Sequence, residues 1–187
     1  MGTPIQEQLE RLTQDLQGSV VDLPLTLKLR TAELILRLMA KRGRFGLYVI
    51  LGWQNRWRQY LDRPDSEQDI FAQHRLNLLS LKPGERRRYD VAATVDFDGA
   101  ILIDKAGYLI HSGALIEGMR PRFVAEKVNP GRFADLSEQF GFEAKVHTRH
   151  LTAIASSYVF RGTTVFTVSE ETGAFHVFEG GRIIYSG

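Results

Sequence analysis

The chain has 187 residues, 43% apolar and 25% charged, with a net charge of +2 and no cysteine. That is the size of one ordinary domain with enough apolar side chains for a core. It excludes a disulfide framework and thiolate chemistry, and so small an excess of positive charge makes nucleic acid an unexpected partner.

The start, MGTPIQEQLERL, is polar and acidic, unlike a secretory signal. Gln6 stands where a myristoylation motif needs a hydroxyl. No apolar run reaches the roughly 18 residues of a membrane span, so the expectation is a cytoplasmic protein without membrane contact. Thr3, Pro4 and Gln6 read as cap, first-turn proline and capping-box partner of a helix. Ile5, Leu9, Leu12 and Leu16 follow at helical spacing, and Gly18 ends it. Residues 1–25 thus form a short helical extension ahead of a domain spanning 26–187. The leucine stripe must dock on this domain or on another subunit, and a neighbouring subunit is the predicted one.

A second helix is predicted over Thr26–Lys41, with Leu27, Leu34, Ile35, Leu38 and Met39 as its apolar face and Gly43 as its stop. Phe45–Leu51 reads as a buried strand. Segment 53–62 reads as a loop or short helix, and Ser66 as the cap of a third helix reaching Leu79. Lys82–Glu85 is a turn; the run Arg86-Arg87-Arg88 is a solvated one rather than a nucleic-acid site. Val91–Val95, Ala100–Ile103 and Tyr108–Leu115 are strand candidates. A long basic loop is expected over 118–132, a short helix over 133–140 and a further helix over Thr148–Tyr158. Thr163–Val168 is a strand, and Ala174–Phe178 with Ile183–Tyr185 a closing hairpin. Interleaved strands and helices give an α/β class: a mixed central sheet flanked by helices on both faces.

Three segments carry candidate chemistry. Thr148 is a plausible N-cap, with Arg149 and His150 in the first turn; free N–H groups, a guanidinium and an imidazole together suit an anion, above all phosphate. The same residues also fit a plain cap, a solvated arginine and a packed histidine. Ser169, Glu170 and Glu171 follow a buried strand, where ligands of α/β sheets collect. The two carboxylates suit Mg²⁺ or Mn²⁺, or simply a solvated acidic turn. Asp98 and Gly99 stand between two apolar stretches: Asp98 as base or metal ligand, Gly99 as backbone open to a flat ligand, or both as a β-turn. Combined, these are parts for holding a nucleoside triphosphate and a metal ion.

The ordered set Asp98-Gly99-Ala100, Thr148-Arg149-His150 with Thr152 and Ala153, and Val168-Ser169-Glu170-Glu171-Thr172-Gly173 resembles the diadenylate cyclase domain. This is the nucleotide-binding domain of the DNA-integrity scanning protein and its relatives, and the resemblance covers about residues 30–187. It implies a face-to-face homo-oligomer joining two ATP molecules into cyclic di-AMP, with Mg²⁺ or Mn²⁺ as cofactor. Carried over residue by residue, it implies Asp98, Arg149 and His150 as catalytic residues. Gly99, Ala100, Thr148, Arg149, His150, Thr152, Ser169 and Glu170 would bind nucleotide, with Leu115 as the adenine floor. Asp98, Glu170 and Glu171 would serve the metal. The sequence departs from the family at two places: His147 stands for a glycine and Leu151 for a second arginine, which removes a charge and five donors. Losing one charge-assisted phosphate contact costs about 1.5–3 kcal/mol. Phe97 offers no ligand where some relatives carry a histidine.

Overall fold

The computed structural model describes residues 4–62, 67–81, 90–95 and 97–187. The expected cap Thr3, the cap Ser66 and the turn at 82–85 with its arginine run lie outside them. Strands β1 (Leu47–Trp53), β2 (Leu61–Asp62), β3 (Leu76–Asn77), β4 (Ala100–Asp104), β5 (Tyr108–Ile116), β6 (Thr164–Val168), β7 (Phe175–Glu179) and β8 (Arg182–Ser186) form one sheet. Its order is β2–β5–β4–β1–β6–β7–β8, with β3 on β5. Among the described residues only β1 and β4 pair in parallel; the other ladders are antiparallel, so the sheet is mixed.

β1 is buried along its whole length, as expected of a central strand covered on both faces. Its residues alternate between two cores. Leu47, Val49 and Leu51 join helices α1 (Pro4–Gln17) and α2 (Leu25–Arg42) on one face. Tyr48 and Ile50 join α4 (Pro121–Val128), α5 (Leu136–Phe140) and α6 (Thr148–Val159) on the other. The α/β class and the two-sided helical cover agree with the sequence reading.

Four expectations are corrected. The leucine stripe of α1 docks within its own chain: Leu12 and Leu16 are buried in the α2-side core, and α1 contacts α2 and β8. The helix expected through Leu79 shrinks to α3 (Ile70–Gln73). Asp69 there spends its carboxylate on His111 Nδ1 at 2.6 Å and on the Ser112 N–H at 3.1 Å. Leu76–Asn77 pairs with β5 instead, and Asn77 accepts from the Leu79 N–H. Val91–Thr94 is a 3-10 turn rather than a strand, with Val91, Thr94 and Val95 buried and Ala93 exposed, a helical rather than alternating period. Within the expected loop 118–132 lies α4, opened by Pro121 in its first turn.

A buried polar cluster ties the α2 face to the sheet. Lys28 Nζ on α2 lies 2.9 Å from Glu179 Oε1 on β7. Lys28 also donates to Ser19 Oγ at 2.8 Å, and Thr164 Oγ1 donates to Glu179 Oε1 at 2.6 Å. Ser19 Oγ donates to the second Glu179 oxygen. Both charged side chains are almost fully removed from solvent.

Candidate functional site

Three chain segments meet at one end of the central strands. Asp98 and Gly99 lead into β4, Phe45 and Gly46 lead into β1, and Ser169 leaves β6. The pairing sets these ends side by side: Leu47 is opposite Val168, and Val49 is opposite Ile101. Helix α6 begins over this edge. Its N-cap is His147, in extended backbone and making no side-chain cap bond, so Thr148 is the first helical residue and not the cap. Thr148 is therefore exposed with its hydroxyl uncommitted to the helix end.

Arg149 lies directly on Gly46. A Cβ built on Gly46 would stand 1.9 Å from Arg149 Nη1 and 2.7 Å from Cζ. Glycine at 46 is thus a seat for a guanidinium, and the seat lies between the strand ends that carry Asp98 and Ser169. Among the described residues no carboxylate pairs with Arg149. A half-buried cation without a counter-ion at a helix N-terminus is an anion-binding arrangement. Gly46→Ala tests it. The obstacle is the far end of a flexible side chain, so the expected thermal midpoint stays within about 3 °C. The guanidinium must leave its seat, and affinity for a simple phosphate anion, pyrophosphate, measured by equilibrium dialysis, is expected to fall about tenfold or more.

Gly99 has φ +93°, and a Cβ there would stand 2.7 Å from the Ala114 carbonyl oxygen. Its lack of a side chain is required by β5 itself. Leu115, the next residue of β5, is 44% exposed beside this segment. Ala100 is fully buried, and Asp98 and Glu170 are exposed. Ser169 Oγ accepts from the Thr172 N–H at 3.2 Å, which shapes the β6–β7 turn. Thr152 lies one turn into α6, half-buried. Glu171 turns towards His147, with 3.1 Å between Oε2 and Nε2, both side chains mostly exposed. Among the described residues no set of three or more His, Asp or Glu side chains converges on one point. Asp98, Glu170 and Glu171 of a single chain therefore do not make a metal cage.

His150 points away from Arg149, towards β7. It and His176 line a cleft of about 660 Å³ between α5, α6 and the β7–β8 hairpin. Phe140, Phe142, His147, Ser169 and Glu171 line it too. Burial first, then the His176 ring and the Arg149 and His147 side chains, lower the His150 imidazole to about 4. His176 is lowered by burial, against a raising effect of Glu143.

A pH prediction follows from His150. Its folded value lies below the ordinary imidazole value of about 6.5. Its contribution to stability is complete above about 6.5 and is lost as pH falls from there towards about 4, because the unfolded chain takes the proton first. The thermal midpoint of the native protein is expected to fall across that window more steeply than that of His150→Gln, which cannot charge. Parallel curves would show that His150 does not titrate there.

Gly46 and His176 were not singled out by the sequence. The available signals were a glycine directly ahead of a wholly apolar strand, and a histidine alternating with Phe178 at inward-facing positions of β7.

No protein-family model matches the chain, and no curated protein matches it. Among solved structures it is similar to a double cysteine mutant of DacA from Staphylococcus aureus, at 16% identity and a TM-score of 0.40, over 95% of this chain and 85% of that one. It is also similar to a hypothetical membrane spanning protein from Bacillus cereus, at 12% identity and a TM-score of 0.43, over 97% of this chain and 91% of that one. At these values the likeness carries no inference about activity. No helix among the described residues is long and apolar enough to cross a membrane.

Proposed function

We propose that the chain is a diadenylate cyclase, a nucleotidyltransferase that condenses two ATP molecules into cyclic di-AMP across a face-to-face homodimer in the cytoplasm. The observation that carries this reading is the Arg149 guanidinium seated on Gly46, unpaired with any carboxylate among the described residues, between the strand ends bearing Asp98 and Ser169. It gives the ordered motifs a common edge with the chemistry of a triphosphate site.

In this reading Arg149 and the first N–H groups of α6 hold phosphate oxygens, with Thr148 and Ser169 as hydroxyl donors. The 3′-oxygen of each ATP forms a bond to the α-phosphorus of the other, the bond from that phosphorus to the bridging oxygen breaks, and pyrophosphate leaves. Asp98 orients the attacking hydroxyl and receives its proton. Such transfer depends on in-line placement and charge neutralisation more than on covalent help from the protein. Mg²⁺ is commonly held by one or two carboxylates together with substrate phosphates; Asp98 with the triphosphate fits that pattern, whereas a cage from this chain alone does not. When bound, such an ion polarises the phosphate and assists the hydroxyl.

Incubation of the protein with ATP and Mn²⁺ or Mg²⁺, followed by mass spectrometry, is expected to yield cyclic di-AMP and pyrophosphate. A second reading has its own support. Leu151 packs against the α6-side core, so the position usually held by a second phosphate-binding arginine contributes only to packing. A chain that binds ATP or cyclic di-AMP without joining nucleotides would follow. ATP binding with no product under either metal would select that sensing module over the cyclase.

A further inference from the structure

In the first turn of α6 a single guanidinium, that of Arg149, reaches the phosphate edge, because Leu151 packs into the α6-side core. A second guanidinium comes to the same edge from another element. Arg44 lies two residues ahead of Gly46, on the lead into β1. Two residues of chain span at most about 7 Å, a distance that an arginine side chain covers. The stem of Arg44 rests on the β6–β7 turn: a Cβ built on Gly173 would stand 3.8 Å from Arg44 Cγ, an ordinary van der Waals contact. The turn itself is closed. The Gly173 N–H donates to the Ser169 carbonyl at 2.8 Å and the Thr172 N–H to Ser169 Oγ at 3.2 Å. Arg44 is thus set against the segment that carries Ser169.

Nothing in its surroundings uses the charge. Arg44 is exposed, and among the described residues no carboxylate pairs with it. Glu170 and Glu171 stand on the same turn, but Glu171 faces His147. The nearby arginines of α2 are committed: Arg42 donates to the Ala92 carbonyl at 3.1 Å, and Arg30 and Arg37 pair with Glu33. The strand order then places Arg44 relative to the reacting groups. The strands run β4, β1, β6, β7 across the edge. Asp98 enters β4, Gly46 with Arg149 enters β1, Ser169 leaves β6, and Gly173 precedes β7. A nucleotide with its α-phosphorus at Asp98 has its outer phosphates past Arg149, on the side of Ser169 and Arg44.

We propose that Arg44 is the second cation of this edge and holds the outer phosphates, so that it selects a nucleoside triphosphate over a monophosphate. The assignment rests on the triphosphate-site reading given above, but not on cyclisation. A guanidinium suits the role, since its planar fork meets two phosphate oxygens at once. Its exposure also gives it the freedom to swing onto a ligand, whereas Arg149 is fixed on its seat.

Equilibrium dialysis of the full chain with pyrophosphate, ATP and AMP tests it. Arg44→Gln is expected to weaken pyrophosphate and ATP about tenfold or more and to leave AMP nearly unchanged. Arg44→Lys keeps the charge without the fork and is expected to recover part of the loss. Arg56→Gln removes an equal charge beyond the other end of β1, where Arg56 lies over Trp57. It is expected to leave all three ligands unchanged, with the fold of each variant checked by thermal midpoint. Selective loss of pyrophosphate and ATP in Arg44→Gln supports the assignment whether or not cyclic di-AMP is formed. If the native chain binds pyrophosphate and Arg44→Gln binds it equally well, the assignment is overturned and the Arg149 edge stands. Equal loss of AMP, or the same loss in Arg56→Gln, overturns it too, since the effect would then be one of general charge. A native chain that does not bind pyrophosphate overturns the triphosphate reading itself, and this assignment with it.

Discussion

Lys28→Met is expected to lower stability by about 3–5 kcal/mol, because it leaves the Glu179 carboxylate buried without its cation. For a chain of this size that is a fall of about 6–20 °C in thermal midpoint. The basis is geometric: Lys28 and Glu179 are 3% and 4% exposed and 2.9 Å apart. Three of the groups around them, Ser19 Oγ, Thr164 Oγ1 and the Val21 carbonyl, are spoken for by the same cluster. The pair itself need not be strongly favourable, since removing two charges from water offsets most of their attraction. The double variant Lys28→Met with Glu179→Leu separates these terms. It is expected to recover part of the loss but not all, because the Thr164 and Ser19 hydroxyls lose their acceptor. Calorimetric scans of the two variants against the native protein check both statements. A single variant within about 1 °C of native would mean that water reaches Glu179 and that the cluster does not bind α2 to the sheet.

How far the sequence announced this fold depended on whether local pattern and tertiary environment agreed. β1 was legible because a central strand covered on both sides needs a nearly unbroken apolar run, and FGLYVIL supplies it; β6 and β7 were legible from the β-branched and aromatic residues of TTVFTV and AFHVF. α6 was legible from its small and apolar residues after a polar start. The 66–79 segment misled because two of its polar side chains bond to distant parts of the chain. Asp69 bonds to β5, and Asn77 donates to the Ala106 carbonyl at 2.9 Å. Such bonds are non-local and leave no periodic trace. α4 was concealed by its charge, with only Val124 and Ala125 buried.

The site divides along the same line. Asp98, Arg149 and Ser169 could be picked out because each flanks a regular element, where backbone groups and side chains are available to a ligand. Their common edge could be inferred only from strand order, which the motifs do not encode. Gly46 as a seat for Arg149 depends on how α6 crosses β1. The meeting of His150 with His176 depends on the hairpin folding back under α6. Both are relations between elements distant in sequence.

The largest effect on chemistry is expected from Asp98→Asn. Asparagine keeps the size and can still hydrogen-bond, but it carries no charge and cannot accept a proton as a carboxylate does. In the proposed cyclase reaction, formation of cyclic di-AMP is expected to fall about 10²–10⁴-fold, the range for removing a positioned base. ATP binding is expected to persist, because the phosphates rest on Arg149 and the start of α6, and Asp98 is exposed at the neighbouring strand end. Folding is expected to be unaffected for the same reason, while Gly99 beside it keeps the close approach to Ala114. Product formation by mass spectrometry and ATP affinity by dialysis, measured on the same preparation, decide the matter. Loss of product with retained binding assigns Asp98 to the chemical step. Equal loss of both would make it a binding residue, and its carboxylate would then act through a metal ion shared with the triphosphate. Undiminished product would remove Asp98 from the mechanism and leave the Arg149 edge as a phosphate cradle without an attacking group.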